Sequence, residues 1–222
     1  MKNRLLTILP TCLLVLIMGK TIANETQDSL QSRLLAAAAQ NQPRVVQELL
    51  AAGADIETRD SRGRTSLLRA THSNAVEAAR TLIEAGADVN AMDDISDSPY
   101  LYAGAEGRLE ILRMTLDHGA DLASVNRYGG TALIPAAHHG HVETVRLLLQ
   151  TETDIDHVNN LGWTALLEAV ILGDGGPVYI EIVKLLLEAG ADADIADNDG
   201  VTPLMHAKNS DYAEIVELLS RQ

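Results

Sequence analysis

The sequence predicts an all-α solenoid of about six stacked helix-turn-helix units with short hairpin-like finger loops. Three observations lead there. A Gly-Ala-Asp phrase recurs, with Gly53, Gly86 and Gly119 each 33 residues apart and a further copy at Gly190. A second phrase, Gly-x-Thr followed by apolar residues, falls between them at Gly63, Gly129, Gly162 and Gly200, and Gly129 and Gly162 are again 33 residues apart. The chain is 46% hydrophobic yet has no Phe and only 3% aromatic residues. Small and aliphatic side chains must therefore fill the core, which suits closely stacked helices. A fixed period of this length is the mark of a repeat architecture.

The elements follow in chain order. Residues 1–23 read as a secretory signal peptide. Lys2 and Arg4 precede an apolar stretch from Leu5 to Met18, and Thr21-Ile22-Ala23 offers small residues for cleavage after Ala23. That stretch is too short for a membrane-spanning helix, so no stable membrane insertion is expected after cleavage. The single cysteine, Cys12, leaves with the signal. The mature chain then has neither a disulfide nor thiolate chemistry. Loss of Lys2, Arg4 and Lys20 takes the formal charge from −14 to −17. So acidic a chain repels phosphate backbones and anionic lipid surfaces, which argues against nucleic acid as a partner.

Residues 24–222 form the repeat domain, divided at about 24–59, 60–92, 93–125, 126–158, 159–196 and 197–222. Within each unit Thr65, Ser98, Thr131, Thr164 and Thr202 sit where a hydroxyl caps a helix N-terminus. Pro99 and Pro203 follow at the first helical position, where a missing N–H costs little. Second helices carry one apolar stripe, as at Val142, Val145, Leu148 and Leu149. Gly53, Gly86, Gly119 and Gly190 then supply left-handed helix ends. Acids such as Asp55, Asp88, Asp121 and Asp192 accept backbone hydrogen bonds in the following turns. A lone helix pair cannot bury its apolar face, so the pairs must stack. The outer units act as caps: polar Gln31, Arg33 and Gln40 face outward in the first, and the last stops before its final loop.

These phrases resemble the ankyrin repeat, whose pattern runs D-x-x-G-x-T-P-L-H-x-A and then G-x-x-x-x-V-x-x-L-L-x-x-G-A-D. The resemblance extends from Leu34 to the C-terminus. It implies a concave groove between finger loops and first helices, used in most members to bind proteins.

Departures from the pattern mark the candidate site. In the third unit, Ser96 replaces the turn glycine, which implies a distorted finger tip. Tyr100 takes a core Leu position with its hydroxyl reaching the edge, and Tyr102 maps to a more exposed place on the same helix. In the fourth, Pro135 lies near the end of the first helical turn, where it is tolerated. His138 and His139 face the groove by resemblance, but adjacent helical residues diverge by about 100°, which opposes a metal site. In the fifth, Trp163 projects beside the turn toward the groove, and Glu168 follows on the first helix. A five-residue insertion, Gly175–Tyr179, lengthens this unit to 38 residues. It lies between the two helices, on the far edge from the finger tips, and Pro177 starts an extended second helix. No Gly-Lys-Ser or Gly-Lys-Thr accompanies it, so it is no phosphate loop.

The reading that results is a non-enzymatic interaction module of the bacterial exported kind, monomeric and without cofactor, in the periplasm or secreted. Its partner is another protein with a basic surface. The partner-binding residues are Arg64, Tyr102, Glu106, His138, His139, Trp163 and Glu168. The alternative is a small ligand or metal held by the Tyr, His and Glu positions of repeats three to five.

Overall fold

The protein was described from a computed structural model, covering residues 27–221. The expected signal peptide lies outside the described residues. Twelve helices occupy this range. Helix α1 spans 27–39 and is followed by α2 (Pro43–Ala51), α3 (Ser66–His72), α4 (Val76–Glu84), α5 (Pro99–Ala105), α6 (Leu109–Asp117), α7 (Leu133–His138), α8 (Val142–Leu148), α9 (Ala165–Ile171), α10 (Pro177–Glu188), α11 (Pro203–Asn209) and α12 (Ala213–Leu219). The described residues form no β-strand, only one isolated bridge between Arg59 and Thr65. No helix among them is long and apolar enough to cross a membrane.

Odd-numbered helices form an inner row and even-numbered helices an outer row. In the inner row α3 packs on α5, α5 on α7, α7 on α9 and α9 on α11. Aliphatic side chains carry this stacking. Leu67, Leu133 and Leu166 are fully buried at equivalent positions, and Tyr100 takes the same place in α5. Each such Leu contributes about 2 kcal/mol by leaving water. Small residues let the helices approach: a Cβ on Gly104 would stand 2.8 Å from the Ala132 Cβ.

Each finger is built on one recurrent turn. Its first residue is Asp60, Asp93, Asn126, Asn159 or Asp197, and the side-chain oxygen accepts the backbone N–H groups two and four residues on. The fourth residue has positive φ: Gly63 at 74°, Gly129 at 72°, Gly162 at 82° and Gly200 at 75°. Ser96 adopts 65° and completes the same bonds, so the distorted tip expected there does not occur. The side-chain clamp of Asp93 holds the non-glycine residue in the left-handed region.

The caps form as the hydroxyls predict in four units. Thr65, Ser98, Thr164 and Thr202 accept from the backbone three residues on. Thr131 does not: its hydroxyl is buried without a partner, and α7 starts one residue late, at Leu133. Pro135 is the cause. In the other units the residue at its position donates its N–H to the cap residue's carbonyl, as Arg69 does to Thr65 and Glu168 to Thr164; proline has no N–H to give. Tyr100 also departs from expectation. Its hydroxyl does not reach the edge but is fully buried and unpartnered, and burial pushes its pKa up.

The Gly-Ala-Asp loops fold as expected: Asp55, Asp88, Asp121 and Asp192 each accept the N–H two residues on. They are also cross-linked. The residue two after the aspartate accepts the N–H of the next loop's aspartate, with Glu57 to Asp88 at 2.8 Å, Asn90 to Asp121 at 2.9 Å and Asp156 to Asp192 at 2.9 Å. Between the third and fourth units Ala123 stands at that position and has no oxygen to offer. The outer row is also interrupted there: α4 packs on α6 and α8 on α10, while α6 and α8 do not pack closely.

The insertion is tightly packed. The Tyr179 hydroxyl donates to the His138 carbonyl at 2.9 Å, and the Tyr212 hydroxyl to the Gly173 carbonyl at 2.9 Å. As predicted, Pro177 opens the second helix, which is extended to 12 residues.

Candidate interaction groove

An open cavity of about 410 Å³ lies on the inner face of the third to fifth units. Helices α5, α7 and α9 form its floor and the fingers of the fourth and fifth units overhang it. Six of the seven residues singled out from sequence line it: Tyr102 and Glu106 from the third unit, His138 and His139 from the fourth, Trp163 and Glu168 from the fifth. Arg64 is elsewhere. It is held on its own finger by Asp60, with Nε and Nη2 at 2.9 and 2.7 Å from one carboxylate oxygen. Burial pushes the Asp60 carboxyl up, but Arg64 and two backbone N–H groups outweigh it and hold it at about 2.

The side chain at the ninth residue after each turn residue points back to the finger. Arg69 meets Asp60 at 3.3 Å and His206 meets Asp197 at 2.7 Å. In the fifth unit the charges are exchanged. Asn159 replaces the turn aspartate, and its Nδ2 donates to Glu168 Oε1 at 2.9 Å. An acid at that place beside an aspartate would set two like charges together; the amide removes the conflict. Glu168 is only 6% exposed. Its second oxygen, Oε2, has His138 Nδ1 at 3.5 Å and accepts no hydrogen bond from the described residues.

This is not an ion pair. Burial pushes the Glu168 carboxyl up to about 7, against the Asn159 hydrogen bond and the influence of His139. Burial, and then His139, push His138 down. Both shifts oppose the charged forms. Asp97 and Tyr102 on the same wall are also raised, first by burial and then by neighbouring acids. Among the cavity's lining residues Arg127 is the one permanent cation; it lies 3.5 Å from Asp97 and stacks 4.7 Å over the Tyr128 ring. The cavity thus holds more acid than base.

Tyr102 is braced by His72, whose ring stacks on it at 3.7 Å, and His139 Nδ1 is 2.7 Å from the Ala105 carbonyl oxygen. The three neighbouring histidines do not converge on a point: the His138 and His139 rings are tilted by 48°, and those of His139 and His141 by 83°. Among the described residues no three His, Cys, Asp or Glu side chains are arranged to hold a metal ion. The insertion beyond Leu172 does not line the cavity.

Sequence reasoning missed the finger tips. The third turn residue is Ile95, Tyr128 and Leu161 in the middle units, with exposures of 50%, 53% and 49%. The outer fingers carry Arg62 and Asp199 there. Three exposed apolar tips in a row, bounded by charged ones, form a stripe beside the cavity. The signal was present in the 33-residue register, but only once the turn was aligned residue by residue.

Comparisons with known proteins agree with this architecture. The family model described as ankyrin repeats (3 copies) matches residues 9–93, 100–197 and 175–222. The chain is similar to a crystal structure of an ankyrin repeat domain from Acinetobacter baumannii AYE, at 59% identity and a TM-score of 0.83, covering 85% of this chain and 96% of that one. It is similar to the ankyrin repeat protein EF0377 at 48% identity and a TM-score of 0.83, over 86% of this chain and 98% of that one. The ankyrin repeat domain of Bcl-3, a member of the IkappaB protein family, aligns at 28% identity and a TM-score of 0.77, over 85% of each chain. No curated protein matches the chain in sequence. Ankyrin repeat domains generally mediate protein–protein interaction and are typically non-enzymatic scaffolds. With repeat, turn and solenoid in agreement, the chain belongs to the ankyrin repeat family.

Proposed function

We propose that this chain is a non-enzymatic interaction module, exported to the periplasm, that binds a partner protein through the concave groove and finger tips of its middle repeats. One observation carries the reading: an acidic, aromatic-walled cavity borders three apolar finger tips, while the flanking fingers are charged. Apolar anchors within a polar surround are how interfaces concentrate their energy. The excess acid favours a basic partner surface and an association weakened by salt. The positively charged start, apolar stretch and small residues of positions 1–23 support export. No arrangement among the described residues favours the metal alternative.

The test is capture of the partner from periplasmic extract by wild type and by a Trp163→Ala, Tyr102→Ala double variant whose circular dichroism matches wild type. Specific capture lost in the double variant supports the groove; equal capture by both removes it. Mass spectrometry of the fractionated protein should find Asn24 at its N-terminus. An intact Met1 in the cytoplasmic fraction would remove export.

A further inference from the structure

The groove reading leaves open what chemistry the cavity selects. Glu168 supplies the clue. It is a nearly fully buried carboxylate whose Oε1 is engaged by Asn159 and whose Oε2 lacks a hydrogen-bond donor among the described residues. Burying a carboxylate with half its acceptor capacity unused is unfavourable. It becomes favourable if a donor arrives from outside. Tyr102 and Trp163 line the same cavity, and aromatic walls attract cations. Glu106 and Asp97 add negative charge, against the single cation Arg127.

Resting on that groove reading, we propose that the cavity seats one lysine side chain of an extended partner segment, with its ammonium on Glu168 Oε2 and its stem against Tyr102 and Trp163. Lysine fits better than arginine because one oxygen is free rather than two. A guanidinium binds best as a two-pronged fork, whereas an ammonium is a point charge. A protein segment fits better than a free amine because the cavity opens onto the apolar tips Ile95, Tyr128 and Leu161. Neighbouring units are about 10 Å apart. An extended chain rises about 3.3 Å per residue, so side chains three residues apart can rest on successive tips.

The experiment screens the full chain against an array of capped nonapeptides with a fixed central lysine. The tightest binders are remade with norleucine in its place, which keeps the stem and removes the charge. Affinities are read by fluorescence anisotropy. Norleucine should weaken binding at least tenfold in wild type. In Glu168→Gln, lysine and norleucine peptides should bind alike, with melting curves showing the variant folded. n-Butylammonium should displace the peptide only at concentrations far above the peptide's Kd. If norleucine peptides bind wild type as well as lysine peptides do, and Tyr128→Ser weakens both, the lysine seat is wrong and the groove stands. If n-butylammonium competes as well as the peptide, a small amine is the ligand and the segment is wrong. If no peptide in the array binds, the groove reading falls as well.

Discussion

Glu168→Gln should change how stability depends on pH, in a direction the structure sets. The Glu168 carboxyl moves from an ordinary 4.5 to about 7 on folding, because burial disfavours its ionised form. The native state therefore holds a proton between those values that the unfolded chain has released. Stability contributed by this group is fully present below about 4.5 and is lost as pH rises through 7. The displacement corresponds to about 3 kcal/mol. Glutamine keeps an oxygen for Asn159 and carries no charge, so the variant should be free of this loss. Urea unfolding of both proteins, followed by far-ultraviolet circular dichroism from pH 4.5 to 8, checks the claim. The variant should gain about 3 kcal/mol on wild type across that range, equivalent to roughly 6–12 °C in Tm for a domain of this size. Other titrating groups cancel in the difference. Parallel pH profiles for the two proteins would refute the buried, unpaired carboxylate. A gain would identify Glu168 as a residue that weakens the free protein, which is expected where binding rather than stability has been favoured.

Two further perturbations probe the scaffold. Asn90 donates to the Gly119 carbonyl and accepts from the Asp121 N–H, both at 2.9 Å, so Asn90→Ala should cost about 1–2 kcal/mol in urea unfolding. Ala123→Asn at the interrupted rung should instead raise stability by about 0.5–1 kcal/mol, and no gain would mean that the third and fourth units stand too far apart to be bridged. At the insertion, Tyr179→Phe should cost about 1 kcal/mol through the lost bond to His138. Gly173→Ala should cost more, because its methyl would stand 2.3 Å from the Ala169 carbonyl oxygen and 2.6 Å from the Tyr179 ring. The reverse ranking in denaturant midpoints would show that the insertion yields instead of packing rigidly.

Repeat number, helix pairing and the turn aspartates are visible in the sequence because they are local. A turn needs its oxygen two and four residues from the N–H groups it binds, and a cap needs its hydroxyl three residues away. Such spacings are written along the chain. Two local readings nonetheless missed. Ser96 keeps the regular turn because Asp93 restrains it, and Thr131 fails to cap because Pro135 removes a donor one turn further on. In both cases a neighbouring residue outweighed the position's own preference.

What only the tertiary structure decided is the cavity. Tyr102, His138, Trp163 and Glu168 come from three repeats and meet because α5, α7 and α9 stack in register. Stacking also separated Arg64 from them, tied to Asp60 on its own finger. The protonation of Glu168 follows from burial and from Asn159, and neither could be read from the acid alone. Periodicity along a chain determines which units form. How much water reaches a side chain between units is set by its neighbours in space, and those neighbours govern its charge.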